Sequence, residues 1–185
     1  VELSYEIMPG ENQPAKQRTT AYVLYNNDYL YFGFRCYDSL PSAIRANLSD
    51  RDKMFGDDFV VVSIDPYNNY QKGLEFAVNP YGIQGDLLMM GSGNEDPSYD
   101  MVWHSAASRD NEGWTAEMAI PFSVFSFNSA AIQNWTITLC RSMPRDSRYL
   151  LSWTMNDRNN PSWLGQGGVL KGLEGIKPGK SLSFL

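Results

Sequence analysis

Two strand-like runs, each followed by an aspartate, lie on either side of a charged loop in residues 27–65. The first run, residues 29–37, alternates along its length, which is typical of a strand with one face in a core. The second, residues 59–64, is almost continuously apolar, which indicates a central strand buried on both faces. Two such strands around a polar loop favour a β-rich fold. The face of the first run predicted to lie in the core consists of Leu30, Phe32, Phe34 and Cys36.

Similar short runs recur along the chain, separated by turns rich in Gly, Pro and Asn. No run predicts a helix of three turns, and the aromatic content of 14% agrees with strands, which favour aromatic side chains. This spacing predicts an all-β fold, an antiparallel β-sandwich, with residues 1–185 as a single domain. The predicted strands are residues 19–25, 29–37, 59–64, 73–79, 83–89, 103–108, 114–120, 135–142 and 149–154, with residues 156–168 a long loop, residues 170–178 irregular and residues 181–185 a final edge strand.

The charge of the chain argues against one class of partner. The formal net charge is −6, whereas a nucleic-acid-binding protein needs a basic face that neutralises phosphates. Arg141, Arg145 and Arg148 are close in sequence, but Asp146 interrupts them. We therefore expect no nucleic-acid partner.

The two cysteines, Cys36 and Cys140, have a spacing that fits no metal motif. They either pair, if their strands are adjacent, or remain two buried thiols. Two cysteines in a chain of 185 residues do not make a disulfide scaffold, so they do not indicate the compartment.

Candidate catalytic groups are few. His104 is the only histidine, which excludes a zinc site built on histidines, and a loop or surface role is the expected interpretation. No nucleotide-binding motif is present. Most carboxylates follow strands, where aspartates cap turns by accepting backbone N–H groups. A hydrolytic carboxylate pair would have to come from Asp38, Asp57, Asp58, Asp65, Asp86 and Glu117.

No cofactor is expected, and a structural calcium ion is left open. Clustered Asp and Asn side chains in loops supply the hard oxygen ligands that calcium prefers. Asp38 and Asp58 end and begin neighbouring runs, and a second acidic cluster follows at Glu95 and Asp96. No segment matches the spaced ligands of an EF-hand loop.

Four runs, taken together, resemble the carbohydrate-binding module family 9-like domain over about residues 19–170. They are residues 30–38, 58–65, 76–82 and 113–122, the last reading Gly-Trp-Thr-Ala-Glu-Met-Ala-Ile-Pro-Phe. The resemblance implies a jelly-roll-like β-sandwich. It also implies a site in which two tryptophans grip the end of a sugar chain, because the C–H face of a pyranose packs on a flat aromatic ring.

A narrower set of runs is similar to one subgroup of large bacterial envelope proteins, known as DUF5916. They are Arg51–Asp52 and residues 79–86, 103–105 and 172–179. In that subgroup a domain of this kind precedes a long region predicted to be an outer-membrane β-barrel. The resemblance implies that the chain is the N-terminal soluble part of such a protein, located in the periplasm or at the outer membrane, with the barrel as a possible partner. The sequence carries no signal peptide and no apolar run of about 18 residues, which fits a fragment of a longer protein.

The resemblance assigns three candidate ligand-binding residues. The first clamp tryptophan falls on Phe55, the second on Trp163, and a nearby asparagine on Asn160. Three other sugar-contacting positions depart from the family, because an arginine falls on Ala77, a glutamine near Cys140 and a glutamate near Val61. Each lost hydrogen bond forfeits roughly 0.5–1.5 kcal/mol, so the fold can be kept without the same ligand.

The resemblance therefore predicts a non-catalytic domain that binds a glycan or oligosaccharide through aromatic residues on loops. Two alternatives are kept: a protein-interaction or structural domain beside a barrel, and a domain of a glycoside-acting hydrolase. An open aromatic clamp with amides around it would favour sugar, a filled surface would favour a protein contact, and two carboxylates about 5–10 Å apart in a cleft would favour hydrolysis.

Overall fold

The computed structural model describes residues 1–91 and 93–179, and within these residues it consists of strands, turns and three single-turn 3-10 helices. No helix in these ranges has the length and apolarity that a membrane span requires. The strands are β1 (Tyr5–Met8), β2 (Gln13–Pro14), β3 (Thr19–Tyr25), β4 (Tyr29–Tyr37), β5 (Phe59–Asp65), β6 (Lys72–Val78), β7 (Gln84–Met90), β8 (Glu95–Asp96), β9 (His104–Asp110), β10 (Gly113–Pro121), β11 (Ile132–Pro144), β12 (Arg148–Ser152) and β13 (Gly168–Glu174).

The strands form two antiparallel sheets, which confirms the predicted β-sandwich. The larger sheet has the order β2-β1-β12-β11-β5-β6-β7-β8, and β13 pairs with the first half of β11. The smaller sheet has the order β3-β4-β10-β9. Strand β11 is long enough to pair with β13 near its start, with β12 near its end and with β5 along its other edge. It therefore ties the larger sheet together.

The core lies between the sheets and follows the alternation of the sequence. Every second residue of β4 is buried, and its partner β10 alternates in the same way. Three aromatic rings pack around Trp135 at centroid distances of 5.0–5.7 Å, namely Phe122, Phe125 and Phe127. Strands β5 and β11 are buried along most of their length, as expected for central strands.

Buried ion pairs connect the end of β4 to the start of β5. Asp38 follows β4 and Asp58 precedes β5, and both side chains are almost fully buried. Arg145 bridges the two carboxylates, with nitrogen–oxygen distances of 2.7 and 2.8 Å, and Arg141 adds a bond of 3.1 Å to Asp38. Asp38 and Asp58, two of the carboxylates considered for calcium, are therefore paired with guanidinium groups.

One predicted element is wrong and three strands were missed. Residues 170–178 were expected to be irregular, but Gly168–Glu174 forms β13. Gly172 has a φ of +80° and is the unpaired extra residue of a bulge, since Gln133 pairs with Leu173 and Asn134 with Lys171. The bulge interrupts the alternation that would have revealed the strand. Strands β1, β2 and β8 are too short for a period-2 pattern, and the edge strand expected at residues 181–185 lies outside the described residues.

The cysteines are both free thiols, buried in different sheets on β4 and β11. Of the two alternatives, the structure has the buried thiols. Burial raises the pKa of each thiol to about 12, so neither is a reactive thiolate at neutral pH.

Candidate functional site

A cavity of about 480 Å³ lies on the face of the larger sheet that points away from the core. Strands β5, β6, β7, β11 and β12 form its floor, because the residues next to the core-facing ones point to the opposite side. Two loop residues rise beside this floor, Phe55 and Trp163. The structure thus brings together the two aromatic residues that the sequence predicted as a clamp.

Phe55 is half-buried in the turn before β5, and its ring packs against Gly85 and against the ring of Phe59. A Cβ atom at Gly85 would lie 2.7 Å from Cζ of Phe55, so the ring rests on the strand only because residue 85 has no side chain. Phe59 meets Phe55 edge-to-face, with ring centroids 5.5 Å apart. The ring is therefore fixed at one wall of the cavity.

Trp163 is half-buried and immediately precedes the 3-10 helix Leu164–Gln166. Its indole N–H points to the hydroxyl of Ser63 on β5, with a nitrogen–oxygen distance of 3.4 Å. Phe55 and Trp163 both pack against a small apolar cluster of Leu87, Met89 and Leu164 that is separate from the main core. One cluster therefore supports both walls of the site.

Asn160 does not line the cavity together with these rings. Its side-chain oxygen accepts the backbone N–H of Ser162 at 3.0 Å, and its carbonyl accepts a bond of 3.3 Å from Gln166. The residue is exposed and shapes the turn that carries Trp163. Its position is that of a residue that orients the loop.

Val61, Ala77 and Cys140, where the resemblance led us to expect polar side chains, lie in one row across three neighbouring strands. Val61 pairs with Ala77 on one side and with Cys140 on the other. The three positions at which the resemblance led us to expect an arginine, a glutamine and a glutamate therefore lie next to one another. Within the described lining, no amide or hydroxyl replaces them, so this row can make apolar contacts but cannot read hydroxyl groups.

Glu75 is the polar residue of the floor that sequence reasoning missed. It lies one row beyond Ala77, opposite Ser63, and its carboxylate accepts a hydrogen bond from the Ser63 hydroxyl. Burial raises the pKa of Glu75 to about 7, and the Glu95 carboxylate adds to the rise, while hydrogen bonds from Ser63 and Trp163 oppose it. The period-2 pattern places Glu75 on the same face as Ala77, which is the signal that could have found it.

The carboxylates considered for a catalytic pair lie outside the cavity, and the five aspartates among them have structural partners. Asp65 accepts four backbone N–H groups of the following turn, at 2.6–3.0 Å, as expected for an aspartate after a strand. Asp57 binds Asn47 and Asn79, Asp86 binds Arg51, and Glu117 is exposed on the smaller sheet. In residues 1–91 and 93–179, no group of three His, Cys, Asp or Glu side chains could hold a metal ion.

No family model matches this chain, and no curated protein is significantly similar to it in sequence. Solved structures, in contrast, share its fold. A candidate carbohydrate-binding protein from Bacteroides uniformis superposes with a TM-score of 0.71 at 14% identity, over 94% of this chain and 84% of the other.

Two further structures are those of a family 9 carbohydrate-binding module from Caldicellulosiruptor kristjanssonii. Its complex with cellotriose superposes with a TM-score of 0.61 at 14% identity, over 91% of this chain and 79% of the other. Its complex with glucose gives the same TM-score and identity, over 93% and 82%. The fold of this chain is therefore that of a family 9 carbohydrate-binding module.

Proposed function

We propose that the domain binds an oligosaccharide in the cavity between Phe55 and Trp163 and does not cleave it. The observation that carries this proposal is the convergence of two loop aromatics, distant in sequence, on one open cavity of about 480 Å³. The likeness in fold to modules solved with cellotriose and glucose supports it.

The walls and floor suit a sugar ring. The C–H face of a pyranose packs on aromatic rings, and pockets of roughly 300–1,000 Å³ hold small ligands. Phe55 and Trp163 supply the rings, while Asn160 keeps the loop of Trp163 in its turn. The apolar row beneath them favours a sugar that turns few hydroxyl groups toward the sheet.

The test is titration calorimetry with cellobiose and other oligosaccharides against the wild type and two variants, Phe55→Ala and Trp163→Ala. We expect each variant to lower affinity at least tenfold while circular dichroism and melting stay close to wild type, since both side chains pack on the small outer cluster and not in the main core. Tyr22→Ala is the matched control, because Tyr22 is an exposed aromatic residue of the other sheet. Unchanged affinity in both cavity variants would refute the clamp.

The hydrolase alternative has one observation in its favour. Glu75 and Glu95 both line the cavity, and a carboxyl group with a raised pKa is what a general acid requires. Glu75, however, is buried in the floor and bonded to Ser63, whereas Glu95 is exposed on a two-residue edge strand. Catalysis needs both groups fixed within a fraction of an ångström.

We accordingly expect no release of nitrophenol from aryl glycosides or of reducing sugar from oligosaccharides by the purified domain. Turnover that disappears in Glu75→Gln would establish hydrolysis instead. Turnover that persists in Glu75→Gln would point to a contaminating glycosidase, and a second preparation made with a different affinity tag would separate these cases.

The cellular setting that we propose is the periplasm or outer membrane of a Gram-negative bacterium, with residues 1–185 as one domain of a longer envelope protein that continues into an outer-membrane barrel. The motifs shared with DUF5916 proteins support this setting. Cell fractionation of the full-length protein tests it. Recovery with the outer membrane is expected, and recovery in the cytoplasm would contradict it.

A protein contact is the second candidate function, favoured by an apolar groove of about 450 Å³ between β3 and β13. Leu24 is 70% exposed and Val169 43% exposed along it, and such patches mark interaction surfaces. Lys171 lines the same groove, and its amine allows a contact there to be detected by chemical cross-linking. In the full-length protein we expect chemical cross-links from Lys171 to the region beyond residue 185, and cross-links found only at other lysines would argue against this contact.

A further inference from the structure

The charges in the cavity are not evenly distributed. Of the described lining residues, three are charged, namely Glu75, Glu95 and Arg148, and the others are apolar side chains, a cysteine and a glycine. The cavity therefore offers a ligand only a few polar side chains to contact.

The two carboxylates lie at one end of the cavity and the guanidinium at the other. Glu75 is opposite Ser63, and Glu95 pairs with Met89 on the neighbouring edge. Arg148 donates to Ser142, which lies opposite Phe59. Phe59 and Ser63 are four positions apart on β5, a span of about 13 Å along a strand. The Glu75 end is consequently acidic.

The acidic end is also the end bordered by the indole. The Trp163 N–H points to Ser63, and the Ser63 hydroxyl in turn donates to Glu75, so the indole and the carboxylate lie next to each other. A cation near this carboxylate would gain both the charge of two glutamates and the attraction of an aromatic face. Three other titratable residues line the cavity with Glu75. Glu95 lies on β8, the neutral Cys140 lies on β11, and Arg148 on β12 is at the far end.

No hydroxyl-reading groups stand between the two ends. Val61 and Cys140 line the middle of the cavity, with the buried Ala77 beside them, and offer only apolar surface to a bound ring. A neutral sugar would have to leave hydroxyl groups unpaired over this row, at a cost of about 1–3 kcal/mol for each buried group. A ligand that gains strong interactions at the acidic end can offset this cost.

We propose that the cavity takes an amino sugar, with its ammonium group between Glu75 and Glu95 beside Trp163. This inference rests on the proposed saccharide site and specifies its ligand class. At a pH near 6.5 part of the Glu75 population is protonated, because the pKa of its buried carboxyl is raised to about 7. Binding of the ammonium favours the carboxylate, and the proton leaves Glu75 for the buffer.

The experiment is calorimetry at pH 6.5 with three disaccharides: β-1,4-linked glucosamine, its di-N-acetylated form and cellobiose. We expect the free amine to bind at least tenfold more tightly than the other two. Repeating the titration in buffers of different ionisation enthalpy should show proton release for the amine only. Glu75→Gln should remove both the preference and the proton release, whereas Glu117→Gln, on the other sheet, should behave as wild type.

The outcomes separate the two proposals. Equal affinity for all three disaccharides overturns the amino-sugar inference and leaves the saccharide site standing. Failure of all three to bind overturns both. A lysine derivative, N-acetyl-lysine amide, is the final arm: if it binds more tightly than the glucosamine disaccharide, the acidic end serves a peptide ammonium and the amino-sugar inference is wrong.

Discussion

Arg145 and Arg35 have nearly the same side-chain exposure, 17% and 16%, but very different partners. Arg145 bridges Asp38 and Asp58, whose side chains are 1% and 0% exposed, whereas the partners of Arg35, Asp110 and Glu112, are 48% and 68% exposed. Removing the cation from a buried pair leaves an uncompensated charge in a medium of low dielectric constant. Burial of the partner, not the presence of a salt bridge, therefore decides the cost.

We predict that Arg145→Met lowers the free energy of unfolding by about 3–5 kcal/mol, while Arg35→Met lowers it by about 0–1 kcal/mol. Urea denaturation of both variants beside the wild type measures the difference. Equal losses in the two variants would show that the buried network contributes no more than a surface pair.

Glu75 predicts a pH dependence of stability. Its ordinary pKa of 4.5 rises to about 7 in the folded chain, so between these values the folded protein keeps a proton that the unfolded chain has released. Stability consequently falls as pH rises through this window, and the loss is complete above it. A rise of this size corresponds to about 3 kcal/mol.

We expect the wild type to lose that stability, relative to Glu75→Gln, between pH 5 and pH 8 in denaturant titrations. The glutamine keeps the shape of the side chain and does not titrate, so it serves as the reference. A difference between the two proteins that is the same at both pH values would contradict the buried, titrating carboxyl.

At the residue scale, the sequence could predict the aromatic walls but not the charged groups. The family resemblance assigned Phe55 and Trp163 to the site, and each is an aromatic residue in a polar loop. Glu75 interrupts an apolar strand on the same face as Ala77, and the pairing of β5 with β6 shows that this face borders the same cavity as those rings. Glu95 and Arg148 come from strands whose neighbours the sequence does not specify.

At the scale of elements, β7 sets the width of the cavity because Gly85 leaves room for the Phe55 ring. We predict that Gly85→Ala displaces the Phe55 ring, because the new Cβ would lie 2.7 Å from Cζ and 3.1 Å from Cε2 of that ring. Saccharide affinity should fall at least fivefold while the unfolding free energy changes by about 1 kcal/mol or less, since the side chain that must move lies outside the main core. Calorimetry and urea denaturation measure the two effects.

Gly56→Ala is the matched control for this variant, because a Cβ atom at Gly56 would meet nothing within 4 Å. It lies beside Phe55 in sequence and should bind saccharide as the wild type does. Normal affinity in Gly85→Ala would mean that the position of Phe55 is not set by β7.

Alternation predicted elements well wherever one sheet face met the core, as in β4 and β10, whose alternate residues are buried. It failed for β13, whose bulge at Gly172 breaks the period, and for the two-residue strands β2 and β8, which contain no period to detect. Strand existence therefore followed from local pattern, while strand order followed from contacts between residues distant in sequence.

At the scale of the whole molecule, the sandwich separates its two thiols into different sheets. We predict that neither Cys36 nor Cys140 reacts with Ellman's reagent in the native protein, since both are buried with raised pKa values. Both should react once guanidinium unfolds the chain without a reductant. Thiols that stay silent after unfolding would indicate a disulfide and contradict the arrangement of the sheets.

The two sheets have different tasks in the whole molecule. Their inner faces share one core that carries the fold, and the outer face of the larger sheet carries a separate small cluster that supports Phe55 and Trp163. Because the cluster is separate, the ligand chemistry can change while the fold is retained.

The central claim is that a saccharide binds against Trp163, and the indole N–H signals of a proton–nitrogen correlation spectrum test it most directly. The chain has five tryptophans, and the indole nitrogens of the other four are buried. We expect that adding cellobiose or the glucosamine disaccharide shifts the signal that is missing in Trp163→Phe and leaves the other four in place. An unmoved Trp163 signal at saturating concentrations of both sugars would contradict the claim.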